Sequence, residues 1–360
     1  MPKSSDTSNP RIQKLINQFS GLGIDAFLVT IDVNITYLTE FDASESWLLV
    51  TPSKSFYITD FRYILEAQKG LKNIEIKQYD RSMFKAVFEI LTGLKFKRLG
   101  IDERHLSLSA FKELQKNCPQ GIGLIELSDV VEKLREIKEK KEVDAIRDCL
   151  KLHHKAIKYL RGVIKPGLTE EQVLAKLEVF VKKHNAGFSF PSIIASGPNS
   201  CYPHAKVSGR KIKNNEPVLI DTGIDIRGYK SDLTRMVFLG KIPPLVREVA
   251  AIVKDAQTKA IMTIKAGVPV SVADQEARNH FKKFDLEQFF GHSLGHGVGL
   301  EIHESPRLSV KSPAVFKAGM VVTVEPAVYI PGPGRKFGIR IEDMVLVTDK
   351  GCEVLSDQTA

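Results

Sequence analysis

Along the first third of the chain, apolar positions switch between a helical period and short apolar runs. Helical spacing covers Ile12–Phe19, Phe61–Gln68, Met83–Leu91 and Ala110–Lys116. Runs of strand character cover Ala26–Val29, Ser46–Thr51, Ser55–Thr59, Ile74–Gln78, Arg98–Ile101 and Gly121–Ile125. That alternation predicts an α/β domain around a mixed sheet, over residues 1–130. Asp129–Leu160 is then a long, charged, amphipathic stretch that opens a second domain over residues 131–360. Within it Lys133–Lys141 mixes both signs at helical spacing and reads as a solvated face, and His153 and His154 read as solvated or packing residues. Lys165-Pro166-Gly167 stops that helix, and Thr169-Glu170-Glu171 caps the next. Two more helices near Pro244–Lys265 and Val270–Phe284, together with strand pairs, predict an α+β second domain. No internal repeat or low-complexity segment is evident.

Acids inside apolar strands break this pattern. Val218–Ile224 and Tyr229–Phe238 are strand-like and are separated by Asp225-Ile226-Arg227-Gly228, which reads as a hairpin turn. Centring the turn between Ile226 and Arg227 puts Asp221 opposite Asp232, at a cross-strand Cβ distance of roughly 5 Å. Glu325 and Glu342 also lie in strand-like runs, Met320–Val324 and Ile339–Val347. Arg340 lies two residues before Glu342, on the same face of one strand, and suits a clamp on a ligating carboxylate. Four acids converging without cations would repel one another and resist ionisation. Two divalent ions of the Mn, Co, Fe or Zn type remove the conflict, with His296 as an imidazole ligand.

His292 and His296 are four apart, but Gly291, Gly295, Gly297 and Gly299 argue against a helix between them. The glycines suit a loop or strand that approaches a ligand closely. His204, in Cys-Tyr-Pro-His-Ala, and His303, in Glu-Ile-His-Glu, lie in turn-like segments of the same half. Cys201 reads as a buried thiol beside the first of these.

In order, P-H-A at Pro203, D-T-G at Asp221, S-D-x-T-R at Ser231, G-H-x-x-G-H-G-x-G-L-x-x-H-E at Gly291, E-P-x-x-Y at Glu325 and R-I-E-D at Arg340 resemble the pita-bread metallopeptidases. Within that group the pattern is most similar to the Xaa-Pro peptidases, aminopeptidase P and prolidase. The resemblance implies an N-terminal creatinase-like α/β domain and a C-terminal α+β pita-bread catalytic domain. It implies that Asp221 chelates one ion, that His296 and Glu325 hold the other, and that Asp232 and Glu342 bridge both. It also implies that Glu325 takes a proton from the attacking water, that His204 and His303 stabilise the tetrahedral intermediate or orient the substrate, and that His292 and Arg340 serve on the substrate side. The expected cofactor is a pair of divalent ions, manganese first, with Co, Zn or Fe as alternatives. The leading expectation is cleavage of Xaa-Pro-Yaa peptides after the first residue by an aminopeptidase. The alternatives are an Xaa-Pro dipeptidase and a non-catalytic interaction module of the same fold. Modules of the last kind have typically lost ligands that this chain keeps. Phe188–Ile193 is a candidate apolar wall for a proline ring. A homodimer is expected by the same resemblance.

Composition adds little to this picture. The net charge of +9 comes without the aromatic interleaving that stacks nucleic-acid bases, so no specific nucleic-acid partner is expected. No apolar run reaches the roughly 20 residues of a membrane span. Met1–Asn9 is polar, reads as a frayed end and lacks the apolar core of a signal peptide. Cys118, Cys149, Cys201 and Cys352 are far apart and form no metal or disulfide framework, so a cytoplasmic setting is expected.

Overall fold

The computed structural model describes residues 9–332 and 336–357. The polar segment Met1–Asn9 lies outside these residues except for Asn9, whose side chain caps the helix Pro10–Ile16. The chain divides into two compact units, Met1–Arg135 and Glu136–Ala360. Among the described residues no helix is long and apolar enough to cross a membrane.

The first unit is built on a mixed six-stranded sheet. Ala26–Val29 lies near its middle, antiparallel to Trp47–Val50 and parallel to Arg98–Asp102, which in turn runs parallel to Gly123–Leu127. Helices Met83–Gly93 and Leu108–Asn117 start on serine caps, Ser82 and Ser107. Residues such as Val87, Phe88, Leu91 and Leu114 pack against the buried strands. The helix Asp32–Thr39 was not legible in the pattern, because Val33, Ile35, Thr36 and Tyr37 favour strand. Burial of Ile35, Tyr37 and Leu38 overrides that preference.

The second unit uses one order of elements twice, although no sequence repeat announces it. Helices Lys140–Val163 and Glu170–Lys183 precede one set of antiparallel strands, and helices Pro244–Met262 and Val270–Lys282 precede another. Both helix pairs turn at a glycine with positive φ, Gly167 at 94° and Gly267 at 88°. Each of these glycines donates its N–H to a later carbonyl, that of Ile212 and that of Phe316 respectively, just after an isolated bridge residue, Lys211 or Val315. In the first set Pro217–Thr222 lies between Ile193–Ser196 and Leu233–Phe238. In the second, Val321–Val324 pairs with Asp343–Val347 and touches Gly295–Gly297. Each half supplies two of the carboxylates described below.

Three expectations need correction. Asp221 pairs with Thr234, not Asp232. The turn is the two residues Arg227-Gly228, with φ of 54° and 87°, and this shifts the register by two from the four-residue linker assumed. Asp232 is therefore a diagonal neighbour on the same face. Second, Ile339–Val347 is not one strand. Phe337–Arg340 pairs with Ala327–Ile330, the chain breaks at Ile341-Glu342, and Asp343–Val347 joins another sheet. Third, the stretch Lys133–Lys141 is not wholly solvated. Arg135 is buried, and so is Lys138, whose ammonium meets the Glu304 carboxylate at 2.8 Å.

Candidate metal centre

Asp221, Asp232 and Glu342 are buried polar residues in apolar surroundings, and Glu325 is largely covered. His296 Nε2 lies 3.4 Å from Glu325 Oε1 and 3.7 Å from Asp232 Oδ2. Ligating atoms of Asp232, His296 and Glu342 all fall within 4.8 Å of one another. Asp221 Oδ1 and Asp232 Oδ1 are buried without any hydrogen-bond donor. Buried carboxylate oxygens left without donors are costly, and cations would satisfy these two. The donor set, four carboxylates and one imidazole, fits divalent ions of the Mn or Zn type.

The imidazole is held ready for such a role. His296 Nδ1 contacts the Gly297 carbonyl at 3.0 Å, which fixes the proton on that nitrogen and turns the Nε2 lone pair towards the acids. The glycines around it do approach something closely, but it is backbone. A Cβ on Gly295 would lie 2.1 Å from the Thr323 carbonyl oxygen, and one on Gly297 would lie 2.2 Å from that of Ser305. The strand can slot between its neighbours only without side chains there.

Several residues that carried no assigned role in the sequence hold the acids. Thr234 donates to Glu342 Oε2 at 2.9 Å and accepts from Arg340 Nε at 3.0 Å. Gln257, fully buried on helix Pro244–Met262, donates to the carbonyls of Val324 and Ile341. Those residues immediately precede Glu325 and Glu342, so one amide braces the segments that carry both acids. His153 is buried and meets Ser231 Oγ at 3.0 Å, and that oxygen also accepts from Ile224 N–H beside Asp232. His154 is half-buried, against the Ser356 carbonyl, so both helical histidines pack.

Arg340 does act as a clamp. Its Nη2 lies 2.5 Å from Asp221 Oδ2, and its Nη1 donates to the Tyr329 hydroxyl and to the Pro203 carbonyl. The last contact ties down the turn that carries His204. Tyr329 in turn meets His292 Nε2 at 3.4 Å. The His303 ring stacks edge-on against His296, with centroids 4.5 Å apart, and is itself exposed, as is His204. All the expected site residues therefore lie in one connected region. Cys201 stands outside it as a buried thiol on the Ile330 carbonyl. Phe188 packs into the core of the first helix pair, whereas Phe190 lies against Gly223, next to the Asp221 strand.

Burial and mutual repulsion push the Asp232 and Glu342 carboxyls well above the usual carboxylate range. Burial raises Glu325 to about 8 and lowers His296 and His292 to about 4. The signs oppose one another at acid pH. Depressed histidines add stability as pH rises from about 4 to 6.5, whereas raised carboxyls subtract it above their unfolded values. Above pH 6.5 only the carboxyls still act. Glu325 alone should therefore cost the metal-free chain on the order of 2 kcal/mol of stability between pH 6.5 and 8, and the other two carboxyls act in the same direction. Saturating Mn²⁺ should abolish that slope. Thermal melts of chelator-treated protein at the two pH values check this, and equal melting temperatures would contradict it.

Comparison with known proteins follows the same outline. The model of metallopeptidase family M24 matches residues 144–349, and that of the creatinase/prolidase N-terminal domain matches residues 11–137. The chain is 34% identical to the Xaa-Pro dipeptidase of Pyrococcus horikoshii, over 98% of both proteins. The solved Xaa-Pro dipeptidase from Bacillus anthracis superposes with a TM-score of 0.92 at 34% identity, covering 97% of each chain. The X-Pro aminopeptidase from Thermotoga maritima gives a TM-score of 0.88 at 33% identity, covering 96% of this chain and 97% of that one.

Proposed function

The chain belongs to metallopeptidase family M24, and from that premise we propose that it is a dimetal Xaa-Pro dipeptidase. The observation that carries this reading is full-length similarity, through both units, to Xaa-Pro dipeptidases in sequence and structure. An aminopeptidase acting on longer peptides was the leading expectation from the motifs alone. It becomes the second reading, supported by the similarity to the Thermotoga maritima enzyme.

Asp221, Asp232, His296, Glu325 and Glu342 would hold two divalent ions, with Mn²⁺ our assignment. Bound there, the ions would supply Lewis-acid polarisation of the scissile carbonyl and activation of water near neutral pH. The protein's own groups do the rest. Glu325 accepts a proton from the attacking water on its carboxylate and delivers it to the prolyl nitrogen as the C–N bond breaks. His204 and His303, facing the open side, donate hydrogen bonds to the developing oxyanion. His292, held by Tyr329, contacts the substrate. Arg340 fixes the orientation of Asp221. An Xaa-Pro bond has no N–H, so an apolar wall such as Phe190 can replace the acceptor that other peptides require. The four free thiols suit a reducing cytoplasm.

Met-Pro, Met-Pro-Ala and Met-Ala, assayed side by side at equal concentration, test the substrate class. The dipeptide Met-Pro should be cut at least about tenfold faster than either of the others, a difference of roughly 1.4 kcal/mol in barrier. Faster cleavage of the tripeptide would make the enzyme an aminopeptidase. Equal cleavage of Met-Ala would remove the proline requirement.

A further inference from the structure

We infer that the first unit carries a separate site for a single divalent cation of the Zn²⁺ type, held by Asp102, His105 and Glu132. Each of these side chains offers one ligating atom, and the three atoms lie within 4.8 Å of one another. All three belong to the first unit and none is part of the candidate centre described above. Asp102 ends the strand Arg98–Asp102, and His105 follows in the turn beyond it. Glu132 opens the helix Glu132–Arg135, shortly after the parallel strand Gly123–Leu127. The cluster therefore sits at the carboxyl ends of two adjacent parallel strands, where open α/β sheets place their ligands.

The hydrogen bonds leave a gap that a cation fills. Asp102 is 4% exposed. Its Oδ1 accepts the Arg104 N–H at 3.0 Å, but its Oδ2 is buried with no donor at all. Glu132 Oε1 receives Asn34 Nδ2 at 2.5 Å and faces His105 Nε2 at 2.8 Å, while its Oε2 is also buried without a donor. Each acid of the cluster thus keeps one buried oxygen without a donor, beside an imidazole that lies 2.8 Å from Glu132. The nearby Arg104 guanidinium does not fill the gap, because it pairs with Asp129 instead. Burial and the Glu132 charge both raise the Asp102 carboxyl, as expected for acids that lack a cation between them.

The orientation is also fixed beforehand. Arg135 Nη1 donates to Asn34 Oδ1 at 2.7 Å, and Asn34 in turn holds Glu132. A relay of that kind is what orders a ligating carboxylate. One imidazole and two carboxylates suit Zn²⁺, with water completing its shell. Binding would displace any proton shared by Glu132 and His105 and leave His105 Nε2 as a ligand. The ion would then fasten the turn after Arg98–Asp102 to the helix Glu132–Arg135.

The test uses the full-length chain carrying Asp232→Asn, His296→Ala and Glu342→Gln, which removes the imidazole and two of the four carboxylates from the candidate centre of the second unit. After equilibrium dialysis against Zn²⁺, metal per chain is counted by mass spectrometry. One equivalent is expected. Adding His105→Ala, or separately Asp102→Asn, should reduce it to none and remove any rise in melting temperature on Zn²⁺ addition. If His105→Ala fails to fold, His105→Gln, which keeps the volume, takes its place. A count of zero in the parent background overturns the proposal without any change at the cluster. An undiminished equivalent in the folded variants overturns it too.

Discussion

Asp232→Asn should leave a folded protein that has lost proline-dipeptide hydrolysis by roughly 10³-fold or more, the scale of several kcal/mol of lost charge stabilisation. Asp232 is buried, and Glu342, Asp221 and Glu325 all push its carboxyl upwards. In the metal-free chain burial and those neighbours favour the protonated, uncharged form of that carboxyl, and asparagine has nearly the same shape. The metal-free variant should therefore melt no lower than the metal-free parent. With divalent metal present the order should reverse, because the variant binds less of it. Activity, bound metal and two melting curves separate loss of chemistry from loss of fold. Full activity in this variant would remove the dimetal reading.

Replacement of His303 or His204 by alanine should cost something like 10²-fold in rate while metal content stays close to that of the parent. His303 stacks on the candidate ligand His296 at 4.5 Å between centroids, and burial together with His204 and Arg307 lowers its pKa. It is neutral at pH 7 and can donate one N–H to a developing oxyanion. His204 sits on the turn that Arg340 holds through the Pro203 carbonyl, next to His303 and His292 electrostatically but with its own side chain exposed. Neither is close-packed on all sides, so alanine leaves no large cavity. Equal loss of metal in either variant would move that histidine into the ligand set.

How far these residues were legible in the sequence depended on the kind of signal each carries. Asp221, Asp232, His296, Glu325 and Glu342 stand out because acids and an imidazole interrupt apolar or glycine-rich runs in a recognisable order. The register between the first two was not legible, because it depends on whether Arg227 adopts positive φ, which few non-glycine residues do. The break at Ile341-Glu342 was hidden for a related reason. Ile339–Val347 alternates well enough for one strand, and only pairing with two different partners divides it. Thr234, Gln257 and Tyr329 act through contacts roughly ten to a hundred positions away in the chain, and no local pattern marks such bonds. Gln257 is the clearest case. On its helix it reads as one polar position among apolar ones, yet it braces the backbone before two candidate ligands. Lys138 shows the reverse error, a lysine in a charged run that proves to be buried against Glu304. The choice between dipeptide and longer substrate rests on full-length similarity, because the motifs are common to both kinds of peptidase.

The most direct test of the central claim is hydrolysis of Met-Pro by protein stripped with a chelator and then titrated with Mn²⁺. The stripped protein should be inactive, and activity should return in step with metal binding to the second unit, reaching its maximum when two ions per chain are bound there. Undiminished hydrolysis by the stripped protein, or restored metal with no hydrolysis of Met-Pro, would contradict the account.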